Sequence, residues 1–391
     1  MTIRSLIASL ALALPAPALA QSCGGSFSGF IQGLASEAMQ RGHAQATVQS
    51  FFAGVAQDPK VLEADRRQGV FQLDFTSFAR RLISQNRIET GQAKARQYAS
   101  VFDTIERSYG VPRGILLAFW AFETDYGGFQ GDFNTLNALV TLSHDCRRPE
   151  LFRPQVFAAL ELYEKGDFSP GGTTGAWAGE IGMVQMLPGD ILENGVDGDG
   201  DGHVRLKTSP PDALMSGAKM LRGLGWQPNQ PWLQEIRLPA QMDWAQTGLT
   251  TTKGASDWQR LGVTPRSGQW QASNLPGSII LPQGRNGPAF LAYPNFSTLF
   301  EWNQSFTYVL TAAYFATRFS GAPVFDAGNP APGLSGQDML SLQRKLVAMG
   351  YDVGAVDGIL GEKTRESVQS VQQRLGLPAD AWPTQDLLNR L

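Results

Sequence analysis

The chain has 391 residues, enough for two or three domains, and its 42% hydrophobic, 17% charged and 10% aromatic residues describe a globular protein rather than a disordered one. Lys and Arg total 32 against 35 Asp and Glu, a net charge of −3, which provides no basic face of the kind that nucleic-acid binding needs. Beyond the N-terminal stretch there is no run of 18 or more apolar residues, so no later segment reads as a membrane span.

The first residues, MTIRSLIASLALALPAPALAQSC, combine one arginine, a short apolar run and an Ala-Leu-Ala ending, the pattern of a cleaved secretory signal, with cleavage expected after Ala20. The residues before Cys23 are not the small-residue arrangement that leads into a lipid-modified cysteine, so a soluble exported protein is favoured over an anchored one. Export sets the redox context. Cys23 and Cys146 are the only cysteines, and two thiols in an oxidising compartment most often pair; the alternative is two unpaired buried thiols.

Helical periodicity follows, as in SFSGFIQGLASEAMQRG and ARQYASVFDTIERSYGVPRGILLAFWAF, and the chain reads as mainly α. Ile115 to Phe122 is apolar on every face, which describes a buried helix, and Glu123 ends that run. A carboxyl placed there is poorly solvated, so its pKa should rise, as a general acid requires. The plainer reading is a structural carboxyl bonded to backbone or arginine. Glycoside hydrolysis normally takes two carboxylates. If the helix continues, Asp125 points away from Glu123, and a lone acid suits a reaction in which the substrate's own hydroxyl attacks. A distant carboxylate such as Asp190 remains an alternative partner.

Further along, VDGDGDGHV places Asp197, Asp199 and Asp201 at alternate positions before Gly202, the first half of a calcium loop of the EF-hand type. The twelfth position is Thr208, where a bidentate Glu would normally sit, so the loop is incomplete; the alternative is a metal-free acidic turn. His43, His144 and His203 are too scattered for a zinc site or a Ser-His-Asp relay. From about Pro239 to Pro294 the pattern breaks into an irregular or β-like subdomain with no helix longer than two turns, and FEWNQSFTYVLTAAYFATRF then reads as one further helix. A linker rich in Pro, Gly and Ala, SGAPVFDAGNPAPGLSGQ, puts the domain boundary near residue 330, giving a signal over 1–20, a catalytic domain over 21–325, a linker over 326–336 and a tail domain over 337–391.

The tail shows two short amphipathic helices, with Met339, Leu342, Leu346 and Met349 on one face of the first and Val368, Val371 and Leu375 on one face of the second. The loop between them, with Gly350, Tyr351, Asp357, Gly358, Gly361 and Thr364, and the closing GLPAD, resembles the type 1 peptidoglycan-binding module, a small three-helix domain. It departs where the family has Phe-Gln (Val371 and Gln372 here) and at the ending Asp-Gly (Asp380 and Ala381 here). The alternative is a structural three-helix appendage.

The remainder, from about Gly25 to Ser320, resembles the lytic murein transglycosylase B family in ILLAFWAFETDYGGFQGDFNTLNALVTL, RRPELF, GAWAGEIGMVQMLPGDI, DGDGDGHVRL and GPAFLAYPNFSTLFEWNQSFTYVLTAAYFATR. That resemblance implies a mostly helical, lysozyme-like catalytic domain with a small subdomain. The implied activity is non-hydrolytic cleavage of the MurNAc–GlcNAc bond of peptidoglycan, which leaves a 1,6-anhydro-MurNAc end and needs no cofactor. Position by position, Glu123 falls on the catalytic glutamate, Gln185 on a sugar-binding glutamine, Asn303 and Tyr308 on cleft residues, and Arg147 and Arg148 on a pair near the substrate's acidic groups. It also implies periplasmic location, and a structural calcium ion on Asp197, Asp199, Asp201 and a later aspartate, Asp212, with His203 giving a backbone carbonyl at most. Departures are Ala176 for a serine, the added carboxyl of Glu180, QMLP for Gln-Phe-Met-Pro, and Trp302 for a tyrosine. The alternatives are a lysozyme-type hydrolase using Glu123 with a second carboxylate, and a catalytically idle wall-binding protein.

Overall fold

The computed structural model describes residues 23–66 and 73–391. The expected signal lies outside the described residues. Three layers of architecture follow along the chain: a helical domain, a small antiparallel sheet inserted late in it, and a C-terminal helical module.

Short helices open the first domain, and their starts are capped as the sequence dictates. Ser26 accepts the Gly29 N–H ahead of Phe27–Gln40, Asp74 accepts the Ser77 N–H ahead of Phe75–Leu82, and Ser84 accepts the Arg87 N–H ahead of Gln85–Gln97. The axis of the domain is the helix Arg113–Thr124, in which Gly114 to Ala121 and Thr124 are all buried. Such a helix needs partners all round. The largest is Phe306–Phe319, itself buried from Tyr308 to Ala316, and Gly114 lets the two close up: an added Cβ there would lie 2.7 Å from the Ala316 carbonyl oxygen. Thr135–His144 and Pro149–Glu164 pack beside each other, and the disulfide Cys23–Cys146 ties the first described residue to the turn between them.

The expected long helix over the FEWN stretch is two helices, Pro294–Trp302 and Phe306–Phe319. Asn303 adopts extended backbone, its Oδ1 accepts the Ser305 N–H at 2.8 Å, and Ser305 Oγ caps the second helix at the Tyr308 N–H. Short polar side chains bonding to neighbouring backbone end one helix and start the next.

The β-like region begins earlier than Pro239. Five strands lie in the order Lys253–Gly254, Pro276–Ile280, Phe290–Ala292, Leu233–Arg237 and Thr264–Pro265, all antiparallel, with Ser278 and Leu233 both opposite Ala292. One face carries its own core around Trp258, Ile279, Leu291 and Tyr293. The other turns Phe290 toward Phe75 and Tyr314 of the helical domain.

The tail forms three helices, Gly336–Ala348, Glu362–Arg374 and Gln385–Arg390, around Leu342, Leu346, Val368 and Val371. Met349 and Leu375, expected on the buried faces, stand at the C-caps and are exposed. Buried Gln343 closes the intervening loop by accepting the N–H groups of Asp357 and Gly358 and donating to the Ile359 carbonyl. The linker is held too. Asn329 N–H bonds the Asn286 carbonyl at 2.8 Å, and Trp382 Nε1 bonds the Ala331 carbonyl at 2.8 Å.

Candidate active site

Glu123 stands in the last turn of the Arg113–Thr124 helix. Directly after it the chain leaves the helix in left-handed backbone, with Asp125 at φ 51° and Tyr126 at φ 61°. Two bonds hold that exit: Asp125 pairs with Arg87 at 2.9 Å, and the Tyr126 hydroxyl donates to the Arg87 carbonyl at 2.8 Å. Asp125 is exposed, so it is directed away from Glu123, though by this turn and not by helical continuation.

The wall around the carboxyl is aromatic. Trp302 stacks on Phe119 with ring centroids 4.6 Å apart, and Phe122 lies edge-on to Tyr308 at 5.9 Å and stacks on Phe315 at 5.2 Å. The buried Tyr308 hydroxyl donates to Glu123 Oε1. Desolvation pushes the Glu123 pKa up to about 7 and outweighs the hydrogen bonds from Tyr308 and Trp302, which favour the carboxylate; the nearby Glu180 charge adds to the rise. Burial, with Glu123 beside it, pushes Tyr308 far above the ordinary phenol range, so the hydroxyl stays a donor. The site therefore holds an acid that is half protonated near neutral pH and a donor ready for its conjugate base.

The loop from Ile181 to Met186 is clipped beneath this helix end. Thr124 Oγ1 donates to the Met183 carbonyl at 2.8 Å and accepts the Gly127 N–H. Gln185 takes left-handed backbone at φ 52°, and its Nε2 donates to the Gly182 carbonyl at 2.7 Å. Asn303 sits at the break beside Trp302, its oxygen engaged with the Ser305 N–H.

Arg147 and Arg148 lie in the turn after Cys146. Both bond the carboxylate of Asp65, which is 1% exposed, and the Arg148 guanidinium covers Phe152 at 5.2 Å. Sequence reasoning missed Asp65, whose helix Pro59–Arg66 carries no motif, and it missed the Trp302 indole as a partner of Glu123. Asp190 is engaged at the start of Pro188–Asn194, accepting the Leu187 N–H, and no described bond links it to Glu123. The histidines are separate: His43 faces Glu164, His144 faces the Gly25 carbonyl and His203 faces Asp167.

The acidic loop gathers three of its expected ligands. Oxygens of Asp197, Asp199 and Asp212 lie within 4.8 Å of one another. Asp197 accepts the N–H groups of Gly200, Asp201 and Gly202, and buried Asp212 accepts those of Gly198 and Arg205. Asp201 is outside this group: its carboxylate accepts the His203 N–H and lies 3.5 Å from Arg205. The His203 ring points to Asp167. Three like charges this close, each oriented by donors, fit an oxygen-seeking divalent cation.

Comparison with known proteins gives two family matches: the Transglycosylase SLT domain over residues 26–317, and a peptidoglycan binding domain over residues 335–391. Two crystal structures of SltB3 from Pseudomonas aeruginosa, one in complex with NAG-NAM-pentapeptide and one with NAG-anhNAM-pentapeptide, are each 36% identical to this chain. Each has a TM-score of 0.86, and the match covers 94% of this chain in both, with 100% of the first structure and 99% of the second. Membrane-bound lytic murein transglycosylase B of Escherichia coli (strain K12) is 27% identical over 60% of this chain, and the chain spans 64% of that relative's length.

Proposed function

The chain belongs to the transglycosylase SLT domain family, and from that premise we propose that it is a lytic murein transglycosylase whose single acid–base group is Glu123. Protonated Glu123 hands its proton to the oxygen of the MurNAc–GlcNAc bond as that bond breaks. The resulting carboxylate then takes the proton of the MurNAc C6 hydroxyl while that oxygen closes on C1, giving the 1,6-anhydro end and restoring the acid. Tyr308 bonds Glu123 in its charged form between the two steps. The observation that carries this reading is the placement of the Glu123 carboxyl, half-buried against the aromatic wall of Phe119, Phe122 and Trp302 and bonded by the Tyr308 hydroxyl, an environment that pushes its pKa up to about 7. The SltB3 complexes contain NAG-NAM- and NAG-anhNAM-pentapeptides, the substrate and product chemistry assigned to this chain.

A lysozyme-type hydrolase is the second reading, and Glu180 favours it, being a second carboxyl within electrostatic range of Glu123. Digestion of peptidoglycan in water labelled with oxygen-18 separates the two. Transglycosylation leaves the new ends unlabelled, whereas label at C1 of MurNAc would make the enzyme a hydrolase.

The protein works on the wall-facing side of the membrane, in the periplasm, after removal of residues 1–20. The paired cysteines support export, and the C-terminal module supplies glycan contact. Asp197, Asp199 and Asp212 would hold calcium, which when bound neutralises their charge and ties the loop to the helix Pro210–Gly223; it takes no part in the chemistry. Calcium should raise the melting temperature of wild type and leave Asp212→Ala unmoved. Equal melting with calcium and with chelator would remove the ion from the account.

A further inference from the structure

A cavity of about 620 Å3 opens at the end of the central helix pair far from Glu123, and the reaction does not use it. Pro112, the N-cap of Arg113–Thr124, and Thr317 and Ser320, at the end of Phe306–Phe319, line one side. The strand Leu233–Arg237 and the turn of residues 267–271 line the other. Glu123 stands in the last turn of Arg113–Thr124, so at about 1.5 Å per residue the cavity lies roughly 17 Å from the catalytic carboxyl.

Both walls are pinned. The amide of Gln234, 7% exposed, donates to the Gln269 carbonyl at 2.8 Å and accepts the Gln271 N–H at 3.1 Å and the Tyr293 hydroxyl at 2.9 Å. The opposite wall turns at Gly321, φ 87°, beyond which the Tyr314 hydroxyl accepts the Phe325 N–H at 3.1 Å and Arg266 donates to the Val324 carbonyl at 2.7 Å. The cavity is therefore formed before a ligand arrives, and its volume is that of a small-molecule or sugar site.

Its chemistry is neutral and polar. Glu235 is the one charged residue in the lining, and its carboxylate is taken by Arg266 and the Asp326 N–H. The side chains of Gln230, Gln269 and Gln271 have no hydrogen-bond partner among the described residues. Pro231, Ala322 and Pro323 supply apolar surface beside these amides.

We propose that this cavity is a second glycan site, which holds uncharged GlcNAc residues of a strand away from the point of cleavage. The inference rests on the peptidoglycan reading for the identity of the strand. A charged ligand would lose its hydration here with no counter-charge to meet it. A peptide laid along the wall would need free backbone groups, and those of Gln269 and Gln271 are already bonded to Gln234. Side-chain amides both donate and accept, as the hydroxyls and acetamido group of a pyranose require, and its C–H faces suit the prolines. Holding one strand at a second point raises the concentration of wall glycan around the cleft.

The first test soaks crystals of wild type with chitotetraose, a GlcNAc oligomer. A pyranose in the cavity, with a polar atom within about 3.2 Å of the amide of Gln230, Gln269 or Gln271, is expected; sugar in the catalytic cleft alone overturns the inference. The second test compares two variants: Gln269→Ala with Gln271→Ala, which leaves the backbone bonds to Gln234 in place, and Ser320→Trp, which fills the cavity. In the Glu123→Gln background each should weaken sedimentation with insoluble peptidoglycan about tenfold, for the first variant the loss of two neutral hydrogen bonds. With Glu123 intact, both should keep kcat/KM on a soluble tetrasaccharide within about twofold of wild type, because that substrate needs the cleft alone. Wall binding unchanged in both variants, or a tetrasaccharide defect as large as the loss of wall binding, overturns the inference. Wild type that cleaves nothing yet takes chitotetraose in the cavity would sink the parent reading and leave this one standing.

Discussion

Glu123 is poised by two opposing effects, and the balance has a sign that activity can read. Burial raises its pKa, and the Tyr308 and Trp302 donors lower it, for a value of about 7. The acid must be protonated to act, so kcat/KM should be level on the acid side of neutral and fall as pH rises through about 7. Tyr308→Phe removes a donor that favours the carboxylate, so the basic limb should move to higher pH; an unmoved limb would show that Tyr308 does not bear on the proton of Glu123, and a limb that moves down would contradict the sign assigned to its hydrogen bond. This residue stood out because one carboxylate closes an all-apolar helix, but that pattern left a structural carboxyl open as the alternative, and the family resemblance decided between the two. The partners were harder to see. Asp65 lies 82 residues from Arg147 along the chain, and nothing in its own helix marks it as the anchor of the arginine pair.

At the level of elements, the site depends on two buried helices meeting at close range. Arg113–Thr124 brings Glu123 and Phe306–Phe319 brings Tyr308, and Gly114 sets their spacing. Gly114→Ala would force its Cβ against the Ala316 carbonyl. It should cost about 1–3 kcal/mol and lower the melting temperature, with activity falling as the Tyr308 contact loosens; a variant as stable and active as wild type would refute that spacing role. Helices were readable where periodicity was strong. The break at Asn303 was not, because Trp302 and Phe306 keep the apolar pattern running through a turn that side-chain-to-backbone bonds create. The β-like character of the subdomain was legible but its strand order was not, because two of its five strands have two residues and a third has three, and their order depends on contacts far apart in the chain.

At the level of the molecule, the C-terminal module is bonded to the rest. Buried Arg365 donates to the Pro282 carbonyl at 2.8 Å and lies over Phe306 at 4.4 Å, Gln369 donates to the Thr247 carbonyl at 2.9 Å, and Asp380 pairs with Arg285 at 3.0 Å. Phe306 opens the helix that carries Tyr308, so the module abuts an element of the site. Arg365→Ala leaves a buried carbonyl without its donor and should destabilise the seam by about 2 kcal/mol, seen as faster proteolysis within residues 326–336. Cleavage at the wild-type rate would mean that the seam does not depend on this residue. The module's loop motif was legible, whereas its docking was not, since Arg365 and Gln369 read as ordinary polar positions of an amphipathic helix.

The central claim is that one residue, Glu123, both protonates the glycosidic oxygen and deprotonates the C6 hydroxyl. Mass spectrometry of the sugars released from purified peptidoglycan at pH 6, by wild type and by Glu123→Gln, tests it most directly. The account predicts anhydro-MurNAc ends from wild type and a rate lower by about a thousandfold or more from the variant. Reducing MurNAc ends, one water heavier, or anhydro ends released equally by both proteins, would contradict it.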